Sequence, residues 1–184
     1  MADTICRTER LVLRKWREDD LADWQAHLNT EEVRKHLGGK LPPERERETF
    51  ARLLETWDHE GHGFLAIERV SDGALVGSCG TGPVMAETAP DELRGSFEVG
   101  YQLRSDARGQ GYATEAAAAV VAMIFDRFDQ EVAYAQTSQA NCGSWRVMQR
   151  LGMARRKDLD YDDPDYPPQE NPTMVWSMQR PERG

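Results

Sequence analysis

The stretch Arg108-Gly109-Gln110-Gly111-Tyr112-Ala113-Thr114 places two glycines, a small residue and a cation within a few positions, a composition suited to holding an anion. Glycine lets the backbone approach a phosphate closely. If a helix starts here, its unpaired first-turn N–H groups and its dipole supply further donors. Arg108 adds positive charge. On their own such residues also serve simply as a turn. Two nucleotide motifs are excluded by residue type: a dinucleotide fingerprint requires glycine where Thr114 stands, and a Walker loop requires Gly-Lys-Ser/Thr, which is absent.

Other residues offer chemistry with less specificity. Cys142 lies in the segment Asn141–Ser144, but no neighbouring histidine or carboxylate pattern activates it, and Cys6, Cys79 and Cys142 read as reduced thiols. Asn141 and Ser144 are types that cap helices. Between Asp158 and Asn171 there are six carboxylates and no lysine or arginine, a loop that suits a cation or is simply solvated. Its Asp158-x-Asp160-x-Asp162 start resembles a calcium loop. Asp163 replaces the required glycine and Gln169 the closing glutamate, so no metal is expected. The four histidines are scattered and carry no ligand role.

The elements that must position these residues follow from periodicity. Leu11–Trp16 reads as a strand, and Asp20 as the cap of a helix bearing Leu21, Trp24 and Leu28. Pro42-Pro43 opens a second helix with Phe50, Leu53, Leu54 and Trp57 on one face. Phe64–Val70 and Ala74–Gly80 form a hairpin through Ser71-Asp72-Gly73. Phe97–Leu103 alternates as a strand, with Met85–Gly95 as the loop before it. A helix from Thr114 to Phe128, apolar nearly all round, is expected to be buried. Val132–Thr137 then forms a strand parallel to Phe97–Leu103, as a βαβ connection requires. A short helix Ser144–Leu151 ends at Gly152, and Met174–Met178 is the last strand.

The 184 residues fit one domain, here 1–184, with 39% hydrophobic and 30% charged residues, a balance that buries a core without disulfides. A net charge of −9 argues against nucleic acid, whose phosphates require a basic surface, and is suited to cationic partners or to solubility alone. No apolar run is long enough to span a membrane, and Met1–Arg10 is too polar for a secretory signal, so a cytoplasmic protein is expected.

In this context the turn resembles the acetyl-CoA-binding motif of the GCN5-related N-acetyltransferases (GNAT), with Arg108, Gly111 and Ala113 matching its Arg/Gln-x-x-Gly-x-Gly/Ala core. The segments Thr8–Arg14, Glu31–Gly38, Phe97–Leu103 and Asn141–Met153 are similar to the RimJ/RimL-type branch, nearly end to end. The resemblance implies an α/β (α+β) GNAT fold: a mixed, mostly antiparallel twisted sheet of about six to seven strands, a central splayed parallel pair and about four flanking helices. It implies acetyl-CoA as co-substrate, bound by Arg108 to Thr114, by Val99, Tyr101 and Leu103, and by Asn141 and Ser144. The activity implied is direct transfer of acetyl to a primary amine, either a protein N-terminal α-amine or a small cationic amine. An inactive acyl-CoA-binding sensor is the alternative.

By the same resemblance Glu98 is the candidate general base and Ser144 the candidate general acid, with Tyr134 a second choice of acid. Against these stand a solvated carboxylate for Glu98 and helix capping for Ser144 and Asn141. The acidic loop would border the acceptor. No membrane partner is expected, and monomer and homodimer both remain open.

Overall fold

A computed structural model describes residues 4–182; Met1, Ala2 and Asp3 of the polar N-terminal stretch lie outside the described residues. The elements in chain order are β1 (Thr4–Arg7), β2 (Leu11–Arg14), α1 (Leu21–His27), α2 (Pro43–Glu60), β3 (Gly63–Arg69), β4 (Leu75–Pro83), β5 (Phe97–Leu103), α3 (Tyr112–Asp126), β6 (Val132–Ser138), α4 (Cys142–Arg150), β7 (Ala154–Arg155) and β8 (Thr173–Gln179). The strands form an eight-stranded mixed sheet in the order β1-β2-β3-β4-β5-β6-β8-β7. β1 with β2, β2 with β3, β6 with β8 and β7 with β8 are antiparallel, whereas β5 and β6 are parallel. The sheet exceeds the expected six to seven strands because β1 and the two-residue β7 carry too little apolar alternation to be read locally.

Contacts divide the chain into two compact units: one up to Gly80 together with Tyr101–Ala119, the other Thr81–Gly100 together with the chain from Val120 on. In the first unit Trp16, Trp24, Leu28, Phe50, Ala66 and Leu75 form the core, with Leu53 and Leu54 packed against it. The Phe50 ring meets Trp16 edge-on at 5.9 Å and Trp24 at 5.6 Å. These contacts follow from the α2 stripe at i, i+3, i+4 and i+7. That helix starts as expected, with Pro42 at its N-cap and Pro43 in its first turn, and ends on Gly61 at φ 73°.

Asp20 precedes α1 but does not cap it with its side chain. Its carboxylate accepts from the Arg14 guanidinium at 2.7 and 2.8 Å and from the Arg17 N–H at 2.9 Å. A buried cation six residues back, at the end of β2, outcompetes the local capping role, because an unpaired guanidinium in the interior is far costlier than an uncapped N–H.

In the second unit Val84, Ala89, Leu93, Tyr134, Leu159 and Val175 form the core. Leu93 and Leu159 come from the loops after β4 and after β7, so both loops pack onto the face of the sheet carrying Tyr134 and Val175. α3 buries Ala116, Ala117, Val120, Val121, Ile124 and Phe125. It starts at Tyr112, two residues before the expected Thr114, and Phe128 lies beyond its end, stacked on Phe97 at 4.9 Å. Among the described residues no helix is long and apolar enough to cross a membrane.

Candidate active site

In the first unit the chain leaves β5, makes a short 3-10 turn at Ser105–Ala107, and enters α3 through Arg108–Gly111. Gly109 and Gly111 adopt φ 77° and 82°, the left-handed region where a side chain is strained. A Cβ at Gly109 would meet nothing within 4 Å, whereas one at Gly111 would meet Arg10 Nη2 at 3.4 Å. The N–H groups of Tyr112, Ala113 and Thr114 lie in the first turn of α3 and have no intrahelical acceptor. The first intrahelical bond runs from Glu115 N–H to the Gly111 carbonyl at 3.0 Å. This is the form of an anion cradle: left-handed glycines open the approach, and a helix start presents donors and the positive end of its dipole.

The side chains of the turn are engaged with its surroundings. Arg108 pairs with Glu32 at 3.0 Å, both of them exposed. The Gln110 carbonyl accepts from Arg10, and the buried Tyr112 lies under the Arg10 guanidinium at 4.9 Å. An exposed pair such as Arg108–Glu32 contributes little, so exchanging it for a phosphate costs little.

In the second unit the two parallel strands meet at one register point, Glu98 opposite Tyr134. Residues paired in register share a face, so Glu98, Tyr134 and Gln136 are brought together. Gln136 donates an amide N–H to Glu98 Oε2 at 2.7 Å, and the Tyr161 hydroxyl donates to Gln136 Oε1 at 2.7 Å. Tyr161 thereby fixes which end of the amide faces Glu98. Burial pushes the Glu98 carboxyl up from an ordinary 4.5 to about 6, against the lowering effect of the Gln136 bond. A half-buried carboxylate titrating there is ionised at neutral pH, yet basic enough to take a proton.

Of the remaining β5 positions, Val99 is buried while Tyr101 and Leu103 are half-buried. The Glu98 carbonyl is occupied by the Thr81 hydroxyl at 2.7 Å. Tyr134, the second-choice acid, donates its hydroxyl to Glu92 at 3.0 Å, and burial and then Glu92 itself push its ionisation upwards. Its proton is thus engaged by Glu92.

At the start of α4, Asn141 Oδ1 accepts from the Ser144 N–H at 3.3 Å, so Asn141 caps the helix through its side chain. Ser144 is half-buried and Cys142 exposed. The acidic loop is less open to cations than its sequence implies. Asp158 pairs with Arg156 at 2.7 Å and Asp160 with Arg155, the arginines lying just before the loop. Glu170 is buried and accepts from Ser138 of β6. Together with Tyr161, this bond places the loop over the β6 face that carries Gln136. Among the described residues no group of three or more His, Cys, Asp or Glu is arranged to hold a metal ion.

Four residues of these arrangements have no site role legible in the sequence: Arg10, which lies in the Thr8–Arg14 segment, and Glu115 at the turn, and Gln136 and Tyr161 at Glu98. Gln136 was readable only as an alternating strand position. Glu115 stood one residue past a motif that names no carboxylate.

The acetyltransferase (GNAT) domain family matches residues 10–154. An acetyltransferase from Agrobacterium tumefaciens is similar in structure, 26% identical, with 95% of this chain and 94% of that chain covered at a TM-score of 0.74. RimL, a ribosomal L7/L12 alpha-N-protein acetyltransferase, shares the fold at 14% identity, with 98% and 96% covered and a TM-score of 0.74. A spermidine N-acetyltransferase from Vibrio cholerae, in complex with CoA and spermine, shares it at 12% identity, with 94% and 96% covered and a TM-score of 0.71. The family match spans both the turn at Arg108–Thr114 and the carboxylate at Glu98, and the chain belongs to the GNAT acetyltransferases.

Proposed function

We propose that this acetyltransferase moves acetyl from acetyl-CoA directly to a primary amine, with Glu98 as general base. The observation that carries the reading is Glu98 itself: its carboxyl is raised to about 6 by burial, oriented by Gln136, and located at the single register point of the parallel strands. The backbone donors of Arg108–Thr114 take the pyrophosphate of the donor, Asn141 the pantetheine, and the N–H groups of Val99 to Leu103 the thioester carbonyl.

The acceptor must lose a proton before it attacks. At pH 7 this costs roughly 1.4 kcal/mol for an α-amine and roughly 4.6 kcal/mol for a lysine-like amine. Glu98 accepts that proton, directly or through a water, and the neutral nitrogen adds to the thioester carbon. The oxyanion is held by β5 N–H groups, the C–S bond breaks, Ser144 gives its proton to the departing thiolate, and the proton that the nitrogen sheds as the amide forms replaces it on Ser144. The acceptor is a protein N-terminal α-amine or a small amine; pairing of Asp158 and Asp160 with arginines favours an acceptor chosen by one reacting amine over a polycation gathered by the loop.

The test is thiol release from acetyl-CoA across a panel of N-terminal peptides and small amines. Turnover on one acceptor class, strongly reduced in Glu98→Gln, supports the reading. Tight CoA binding with no turnover on any acceptor would replace it with an acyl-CoA sensor.

A further inference from the structure

The anion-binding turn is held from outside by a residue far away in sequence. Arg10 donates from Nη1 to the Gln110 carbonyl at 2.9 Å, and its Nε and Nη2 both reach Glu115 Oε2, at 2.7 and 2.6 Å. The other Glu115 oxygen accepts from the Arg10 backbone N–H at 2.9 Å and the Thr8 hydroxyl at 2.5 Å.

Two consequences follow from elementary geometry and charge. A peptide unit is planar and trans, so a Gln110 carbonyl drawn towards Arg10 turns the Gly111 N–H to the opposite side, where nothing among the described residues accepts it. Glu115 also puts a carboxylate into the first turn of α3. Such a group is welcome to the helix dipole but competes with any bound phosphate for the same positive end. Partial burial raises the Glu115 carboxyl, yet the bonds from Thr8 and Arg10 outweigh this and hold it below the usual carboxylate range, so it is ionised at neutral pH. An ionised carboxylate is compatible with an anion site there only while it is neutralised, and Arg10 supplies the charge.

We propose that Arg10 is a positioning residue for acyl-CoA: it neutralises Glu115, which would otherwise repel the pyrophosphate, and it pins the Gln110 carbonyl so that the Gly111 N–H remains turned out as a donor. This inference rests on the proposed binding of acyl-CoA at the turn. Arg10 acts through Glu115 and the backbone, so its removal is read in donor affinity and not in the chemical step.

The experiment compares kcat and KM for acetyl-CoA and for S-acetylpantetheine, which lacks the pyrophosphate, in the wild type, Arg10→Met, Arg10→Lys and the double variant Arg10→Met with Glu115→Gln. Arg10→Met is expected to raise the acetyl-CoA KM about tenfold, the effect of one uncompensated charge at the cradle, with kcat changed by less than about twofold. The KM for acetylpantetheine rises far less. Arg10→Lys recovers part of the loss, and the double variant most of it, because the repelling carboxylate has gone.

An equal rise for both donors, an unchanged acetyl-CoA KM, or a double variant no better than Arg10→Met would each overturn the proposal. Should Arg10→Met fail to fold, Arg10→Lys carries the test: a KM rise confined to acetyl-CoA supports the proposal and its absence overturns it. A wild-type protein that shows no saturable binding of acetyl-CoA removes the underlying reading and the proposal together. Saturable binding with an indifferent Arg10 removes only the proposal.

Discussion

Gln136 donates to Glu98 across 2.7 Å, and this bond joins two neighbouring parallel strands at the place where their pairing is confined to one residue pair. It stabilises the ionised carboxylate while burial opposes it, and the balance leaves the group at about 6.

Glu98→Gln is therefore expected to lose activity and gain stability. A folded-state value raised from 4.5 to about 6 means that the native protein binds the proton more tightly than the unfolded chain does. Stability from this group is fully present below about 4.5 and is lost as pH rises through 6, a difference of about 2 kcal/mol at most. A neutral amide avoids that loss. Chemical denaturation at pH 7 should show Glu98→Gln more stable than wild type by about 1–2 kcal/mol, with the gap closing at pH 4. In the same variant the rise of kcat/KM through pH 6 should vanish; a variant that keeps that limb would remove Glu98 as the base.

Tyr161→Phe tests how the amide is oriented. Without the hydroxyl that donates to Gln136 Oε1, the amide is free to flip and present oxygen to Glu98, which disfavours the carboxylate. The acid limb of kcat/KM should move to higher pH by roughly half a unit, while kcat on the alkaline plateau changes less than about threefold. A pH–rate profile decides, and an unmoved limb would confine Tyr161 to packing.

What sequence could and could not reveal divides along the range of the interaction. The α2 stripe, the Asp72-Gly73 turn and the β5 alternation are local periodicities, and they stand where their residues indicated. The turn at Arg108–Thr114 was legible for the same reason. Gln136 and Tyr161 were not, because they meet through strand pairing and loop packing between distant segments, and neither has a local pattern. Arg10 and Glu115 are further apart still. Asp20 shows how a local rule fails: the residue type and place suited a cap, but a buried guanidinium was a stronger claimant.

Gly80 marks a close approach of backbones that no local signal announces. A Cβ there would lie 2.1 Å from the Gly63 carbonyl oxygen and 2.4 Å from Phe64 Cα, both main-chain atoms held by the sheet. Gly80→Ala should cost about 3 kcal/mol or more, since relief requires shifting β3. Gly73→Asn is the control: its φ is 72°, nothing lies within 4 Å of its Cβ, and asparagine tolerates that region, so the cost should stay below about 1 kcal/mol. Equal midpoints for the two variants in denaturant would contradict the close approach.

Arg14 offers a sharper test of what holds the first unit together. Its side chain is 3% exposed as a residue, bidentate to Asp20 at 2.7 and 2.8 Å, and bonded through Nε to Glu68 at 2.7 Å. Two acids around one buried cation leave at least one carboxylate without its partner when the arginine is removed, and Asp20 is itself only 8% exposed. Arg14→Met keeps much of the apolar stem, so the loss reports mainly the stranded charge, expected at about 3–5 kcal/mol. Adding Asp20→Asn removes the negative charge that was left and should recover about half of it. Urea titrations of the single and double variants at pH 7 give the coupling directly; a single variant within 1 kcal/mol of wild type would mean that water reaches Asp20 and that the β2–α1 connection is held by the Trp16, Trp24 and Phe50 cluster alone.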